Sequence, residues 1–328
     1  MRKIAVVGAG KIGSAIADML RASGAYQVAV LDRDAAHLAA LPAGDGVERI
    51  SVDVSDSAAL ADALDGAFAV ISAAPYQLTV PIARAVKIAG AHYLDLTEDV
   101  ASTREVRALA QDADSAFIPQ CGLAPGFISI VASDMARRFD DLHEVRLRVG
   151  ALPRYPTNGL NYNLTWSTEG VINEYCEPCE AIVQGRRQEV AALEGLEEFA
   201  LDGVAYEAFN TSGGLGSLCE TLAGKVRNLN YRTIRYPGHA GVMRTLLDDL
   251  GLRHRRDLLK DILEHAVPAT MQDVVIVFVT VSGMKAGALM QETYVNKIYA
   301  QPVAGTQKSA IQITTAASVC AVADMLAE

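Results

Sequence analysis

The strongest constraint on the fold lies in the first thirty-two residues. An apolar run, Ile4-Ala5-Val6-Val7, leads straight into Gly8-Ala9-Gly10-Lys11-Ile12-Gly13. A helical pattern follows, and a second apolar run, Gln27-Val28-Ala29-Val30-Leu31, closes on Asp32. Strand, glycine turn, helix and strand in this order start a dinucleotide-binding βαβ unit, with an acid about twenty residues beyond the last glycine. Gly8 permits the tight turn, Gly10 lets the backbone approach a pyrophosphate, and Gly13 lets helix and strand pack closely. The free N–H groups and the positive end of the helix dipole then face phosphate.

Asp32 sets the expected cofactor. A carboxylate at the end of the second strand accepts hydrogen bonds from an adenosine ribose diol and repels a 2′-phosphate. Two like charges about 4 Å apart cost on the order of 4 kcal/mol near a protein surface. NAD is the expectation. Arg33, just past the strand, stands where a phosphate clamp would sit in an NADP protein, or else lies over adenine or faces water.

Alternation of strand and helix patterns continues to about Gly122 and predicts a doubly wound parallel sheet. Carboxyl ends of such strands bind ligands. The cofactor set is therefore Gly8, Gly10, Lys11, Ile12, Gly13, Asp32, Arg33, Asp53, Val54, Ala73, Ala74, Pro75 and Tyr76. Asp53-Val54 falls where an acid contacts adenine, and the small Ala73-Ala74-Pro75 where bulk would clash with a nicotinamide ribose. Near Leu142 the period changes. His143–Val149 alternates polar and apolar, and similar runs recur at Ala181–Gln184, Arg187–Ala191, Val204–Asn210, Val226–Tyr236, Val274–Thr280 and Gln291–Tyr299. Helical patterns interrupt them at Thr168–Tyr175, Ala240–Leu250 and Arg256–His265. The expectation is an inserted α+β domain, about 123–304, on a mostly antiparallel open sheet. Residues 1–122 with about 305–328 form the dinucleotide domain, the alanine-rich helix Lys308–Leu326 returning to it. A large sheet with an open face is often covered by a second subunit, so a homodimer or larger assembly is expected.

Bulk properties narrow the partners. A formal net charge of −10 argues against nucleic acid. No apolar run reaches the roughly 18 residues of a membrane span, and the N-terminus enters a strand without a signal-peptide pattern. A cytoplasmic protein is expected. Five cysteines, an odd number, read as reduced thiols. Cys176-Glu177-Pro178-Cys179 has CxxC spacing, but nothing completes a zinc set, and no metal is expected.

Two later segments are more specific: Thr165-Trp166-Ser167-Thr168-Glu169-Gly170-Val171-Ile172-Asn173-Glu174-Tyr175 and Asn230-Tyr231-Arg232-Thr233-Ile234-Arg235-Tyr236-Pro237-Gly238-His239. Both resemble the saccharopine dehydrogenase/reductase-like family, as does the Gly122-Leu123-Ala124-Pro125-Gly126 turn. The resemblance spans essentially the whole chain and is strongest to the lysine 6-dehydrogenase branch, which carries similar Trp-Ser-x-Glu-Gly and Arg-Tyr-Pro-Gly-His segments. It departs from the saccharopine reductases at their Asn-Arg-Asp-Ser loop, where this chain reads Phe209-Asn210-Thr211-Ser212-Gly213. Without that arginine a glutarate arm has no evident partner, which points to a smaller substrate.

The resemblance implies NAD-dependent oxidative deamination of the ε-amine of L-lysine. The products would be ammonia and 2-aminoadipate 6-semialdehyde, which cyclises to a piperideine carboxylate. Hydride leaves the ε-carbon only once the ammonium has lost a proton, a step costing roughly 4.6 kcal/mol at neutral pH. The site needs a base and a cation for the α-carboxylate. Asp95, at a strand end, is a candidate base or amine holder, or else an N-cap. His239 is an active-site candidate or a capping-region residue. Tyr231, Thr233 and Arg235 share one face of an extended segment, and Arg235 is the candidate for the substrate carboxylate, with Tyr231 beside it. Thr168 and Glu169 at a helix start are further substrate candidates, whereas Trp166 and Tyr162 read as core. The rival readings are a saccharopine- or carboxynorspermidine-type C–N dehydrogenase and a non-catalytic NAD-binding sensor.

Overall fold

The computed structural model describes residues 1–41 and 46–328. Two compact units divide the chain: Met1–Gly126, Pro302–Lys308 and Gln312–Glu328 form the first, and Phe127–Gln301 with Ser309–Ile311 the second.

In the first unit the elements alternate as β1 (Arg2–Val7), α1 (Lys11–Ser23), β2 (Tyr26–Asp32), α2 (Ala35–Ala40), β3 (Val47–Ser51), α3 (Ser57–Ala63), β4 (Ala69–Ser72), α4 (Thr79–Ala89), β5 (His92–Asp95), α5 (Val100–Ala110) and β6 (Phe117–Ile118). All six strands are parallel, in the order β3-β2-β1-β4-β5-β6. The inner strands β1, β2 and β4 are mostly apolar because both faces are covered, whereas the edge strand β3 carries the exposed Glu48, Arg49 and Ser51. Ile4, Val6, Val28 and Val30 point to one face against Ile16 and Leu20 of α1, while Ala5, Val7, Ala29 and Leu31 point to the other against Leu60, Ile82 and Val86. Asp34, Asp56 and Asp99 cap α2, α3 and α5 by accepting from their first-turn N–H groups.

The second unit contains α6 (Phe127–Ala136), β7 (Asp141–Pro153), α7 (Thr168–Cys176), β8 (Cys179–Val183), β9 (Arg186–Val190), β10 (Glu197–Leu201), β11 (Val204–Asn210), α8 (Leu218–Thr221), β12 (Val226–Arg235), α9 (His239–Arg244), α10 (Arg256–Ala266), β13 (Asp273–Lys285) and β14 (Ala288–Tyr299). Its eight-stranded sheet runs β10-β11-β12-β7-β13-β14, with β8 on β12 and β9 on β8. Every pairing is antiparallel except β7 with β12. Helices α7, α9 and α10 cover part of one face, burying Tyr162, Tyr175, Phe209, Met243, Leu259 and Leu263 together. Strand β10 and helix α6 have no counterpart in the sequence reading; β10 is short and half-exposed, so its alternation is weak.

A short hairpin, β15 (Gln301–Val303) and β16 (Thr306–Lys308), precedes α11 (Ala310–Ala327). Helix α11 is long and apolar enough to cross a membrane, but its Ala316, Val319 and Ala323 are fully buried beside Ile4, Val6 and Ile16 in the core of the first unit. The Lys308 ammonium forms a buried ion pair with Asp18 of α1, and Gln312 Nε2 donates to the Lys11 carbonyl at 2.8 Å. The C-terminal segment thus braces the helix that follows the glycine turn.

Candidate cofactor and substrate sites

The glycine turn lies between β1 and α1, beside the point where the strand order reverses from β1 to β4. Gly8 has φ +106°, and a Cβ there would meet the Ala73 carbonyl at 2.8 Å. A Cβ on Gly13 would lie 1.8 Å from the Gly8 oxygen, whereas one on Gly10 would meet nothing within 4 Å. The two tight glycines therefore serve packing, and Gly10 faces open space. Gly10 is also the N-cap of α1 without a capping side chain, and no acid stands in that helix's first turn. Uncapped N–H groups, a helix dipole and room for a phosphate fit a pyrophosphate. Lys11 is exposed and Ile12 half-buried at this helix start.

Asp32 has a double duty. Its Oδ2 accepts from Ala9 N–H at 2.7 Å and its Oδ1 from Asp34 N–H at 2.8 Å, with His37 Nδ1 3.7 Å away. The carboxylate holds the glycine turn in shape while keeping lone pairs for a ribose. An open depression beside it is lined by Arg33, Asp34, Ala35, Ser51, Val52 and Asp53. Asp53 is exposed and accepts from the Ser55 N–H and hydroxyl, which lower its pKa. Val54, by contrast, packs against the core. Ala73 and Ala74 are half-buried at the end of β4, and Pro75-Tyr76 opens a 3-10 turn.

Asp95 is fully buried at the end of β5. It accepts from Tyr93 Oη–H (2.9 Å), Thr97 N–H (3.1 Å) and Gln120 N–H (2.8 Å). It caps no helix; that role falls to Asp99. Gln120 is in the left-handed region at φ +64°, so Asp95 pins the turn after β6. Burial raises its pKa to about 6, against the lowering pull of the Gln120 and Thr97 N–H groups and the Tyr93 hydroxyl. A carboxyl of that pKa exchanges protons readily near neutrality.

In the second unit β12 places Tyr231, Thr233 and Arg235 on one face, all buried. Arg235 Nε donates to Tyr175 Oη (2.9 Å), and its Nη1 donates to Thr233 Oγ1 (2.8 Å) and the Ile234 carbonyl (2.9 Å). The guanidinium lies 5.0 Å from the Tyr162 ring centre and 5.8 Å from that of Tyr175. A surface ion pair is thereby ruled out. In register, Glu207 faces Arg235, yet its carboxylate is taken by the N–H groups of Gly238 (2.8 Å) and Ala240 (2.6 Å). Among the described residues no carboxylate lies within 4.0 Å of Arg235; Glu174 attracts it from farther away.

His239 is not available to act as a base on substrate. It is fully buried; Nδ1 lies 2.9 Å from the Leu160 carbonyl and Nε2 3.0 Å from Tyr175 Oη. A carbonyl only accepts, so Nδ1 carries the proton and Nε2 accepts from the Tyr175 hydroxyl, whose oxygen in turn accepts from Arg235. Burial, with the nearby Arg235 charge, drops the imidazole pKa to about 3, despite the bond to Leu160. His239 thus fixes Tyr175, and Tyr175 fixes Arg235.

The α7 start also departs from expectation. Ser167 Oγ caps it by accepting from Gly170 N–H (3.1 Å), Thr168 is buried, and the Glu169 carboxylate turns to Lys260 Nζ (2.8 Å) on α10. Glu169 is occupied by that pair. Tyr162 lies in the core, as its sequence suggests, against the Arg235 guanidinium; Tyr175 was missed, although it closes the segment that begins at Thr165. Phe209, in the segment that replaces the arginine loop, meets Tyr175 edge-on with ring centres 5.6 Å apart and stacks on His239 at 6.2 Å. Buried and without hydrogen-bond partners are Tyr162 Oη, Asn163 Oδ1, Thr165 Oγ1 and Thr211 Oγ1. The five cysteines are free thiols.

A six-stranded parallel sheet with this glycine turn is the architecture of an NAD(P)-binding domain. Residues 4–118 match the saccharopine dehydrogenase NADP binding domain and residues 122–328 the saccharopine dehydrogenase C-terminal domain. The chain belongs to the saccharopine dehydrogenase family, NAD(P)-dependent oxidoreductases that act on C–N bonds. Its fold is similar to that of saccharopine dehydrogenase (L-Glu forming) from Saccharomyces cerevisiae, with TM-score 0.81 at 17% identity over 99% of this chain and 91% of that one. It is also similar to homospermidine synthase from Legionella pneumophila, crystallised with NAD, with TM-score 0.65 at 13% identity over 99% of this chain and 84% of that one.

Proposed function

We propose that the chain is an NAD-dependent amine dehydrogenase that oxidises the ε-amine of L-lysine. It releases ammonia and 2-aminoadipate 6-semialdehyde, which cyclises to a piperideine carboxylate. The observation that supports this reading is that, among the described residues, one buried guanidinium of the second unit has no carboxylate within 4.0 Å. Among the described residues two arginines are buried there, Arg148 and Arg235. Arg148 is committed to Glu197, which leaves one cation for one carboxylate. Lysine has one carboxylate at neutral pH; saccharopine has three.

The bound nicotinamide supplies the hydride acceptor. Gly8, Gly10, Lys11, Ile12 and Gly13 hold the pyrophosphate; Asp32 takes the ribose diol, which favours NAD; Arg33, Asp53 and Val54 flank the adenosine, and Ala73 to Tyr76 the nicotinamide ribose. Arg235 holds the substrate carboxylate with Tyr231 beside it. Asp95 takes the proton that the ammonium must lose and gives it up to solvent, and the carboxylate so restored takes a proton from the water that adds to the iminium. The assembly is a cytoplasmic homodimer or larger oligomer.

The test is purified protein with NAD and L-lysine alone, followed by NADH absorbance. NADH should form without a second substrate and faster toward alkaline pH. Turnover only with saccharopine, or only reductively with an aldehyde and a second amine, refutes the lysine reading. Tight NADH binding with no amine oxidised would favour a sensor.

A further inference from the structure

Helix α11 is apolar and alanine-rich, and Gln312 is its single amide side chain. Gln312 is buried, on a helix whose Ala316, Val319 and Ala323 sit in the core of the first unit. Burying an amide in such surroundings is unfavourable unless it finds hydrogen bonds. Its Nε2 finds the Lys11 carbonyl at 2.8 Å, on the first residue of α1. The Ser14 hydroxyl donates to the same oxygen at 3.1 Å, but Ser14 is carried by α1 itself. Gln312 is thus a point outside α1 that holds its first turn. Two turns further along α1, Lys308 grips Asp18. The helix is therefore held at two places about 10 Å apart along its axis, which resists both sliding and rotation.

What Gln312 holds is a whole peptide group and not only its oxygen. A trans peptide is planar with its C=O and N–H pointing in opposite directions, so fixing the Lys11 oxygen fixes the Ile12 N–H. That N–H lies in the first turn of α1, ahead of the first intrahelical bond, which Ser14 N–H gives to the Gly10 carbonyl at 2.9 Å. It has no partner within the helix. A donor on the carbonyl also polarises the N–H across the same peptide and strengthens the bond that N–H can make. We propose that Gln312 is a positioning residue for the cofactor, aiming the Lys11–Ile12 peptide so that the Ile12 N–H is set for the pyrophosphate before the dinucleotide arrives. A donor aimed in advance need not be ordered by the ligand, which raises affinity without a new contact. The inference goes beyond the amine-dehydrogenase reading and rests only on a pyrophosphate at the glycine turn.

The experiment measures dissociation constants for the wild type, Gln312→Met, Gln312→Ala and Ser14→Ala. NADH and ADP-ribose, which carry the pyrophosphate, are titrated directly; adenosine, which lacks it, is measured by displacement of NADH. Met keeps the length of the side chain and Ala removes its bulk, so strain or a cavity in one variant is absent from the other. In both Gln312 variants the Kd of NADH and of ADP-ribose should rise roughly five-fold, the worth of one neutral hydrogen bond, while that of adenosine changes less than about two-fold. Ser14→Ala should leave all three within about two-fold of the wild type, because its donor moves with α1. An equal loss for adenosine in the Gln312 variants marks a merely structural role and overturns the proposal. An NADH affinity unchanged in both of them overturns it too, as does a loss in Ser14→Ala equal to that in Gln312→Met. If the wild type binds neither NADH nor ADP-ribose, the cofactor reading falls and this inference with it. If both bind and weaken as expected while no amine is oxidised, the lysine reading falls and the role of Gln312 stands.

Discussion

The buried imidazole of His239 makes a prediction that can be worked through in numbers. Its pKa is about 3 in the folded protein against 6.5 as the ordinary value. Because the folded value is the lower one, the unfolded chain binds a proton first as pH falls. Stability is therefore complete above the ordinary pKa and is lost progressively toward the folded one. Between about pH 7 and about pH 5 this single group removes roughly 2 kcal/mol. His239→Asn keeps a donor for the Leu160 carbonyl but has nothing to titrate. The variant should be less stable at neutral pH, since the Tyr175 hydroxyl loses its acceptor, but the gap to wild type should shrink by roughly 2 kcal/mol on going to about pH 5. Asp95 and Glu98, raised by burial to about 6 and about 7, push stability the other way on acidification. They are present in both proteins and cancel in the difference. The assay is urea unfolding followed by fluorescence of Trp166, the single tryptophan, which packs against the cluster containing His239's neighbours Tyr162 and Tyr175. Parallel pH curves for the two proteins would refute the neutral buried ring and the proton order assigned to it.

Three further outcomes are expected. Asp32→Ser should shift preference from NAD toward NADP and lower Tm, because the same carboxylate ties the glycine turn through Ala9 N–H; unchanged kcat/KM ratios for the two cofactors would remove Asp32 as the ribose reader. Lys308→Met strands the buried Asp18 carboxylate and should cost about 3–5 kcal/mol in denaturant unfolding, while Asp18→Leu with Lys308→Met recovers most of it. Asp95→Asn cannot exchange a proton, so the fall in kcat/KM as pH drops through about 6 in the wild type should be absent from any residual activity.

Much of the fold was written in local pattern. The glycine turn, the strand run ending on Asp32 and the period change near Leu142 each report a local requirement: a backbone without Cβ, a sheet covered on both faces, a sheet covered on one. The nucleotide half needs little else, since its glycine turn and strand ends are runs of consecutive residues.

The substrate half was legible as a list of residues and not as roles. Arg235, His239, Glu169 and Glu207 are all polar residues near helix or strand ends, and nothing in their spacing says which is spent. Only the tertiary structure does so, because a hydrogen-bond partner is a matter of what long-range packing brings within 3 Å. It gives Glu207 to the start of α9, Glu169 to Lys260 and both His239 nitrogens to Leu160 and Tyr175. The sequence by itself determined the glycine turn and the nucleotide-binding fold around it; burial and pairing across distant strands decided which polar side chains are spent and left Arg235 without a carboxylate within 4.0 Å among the described residues.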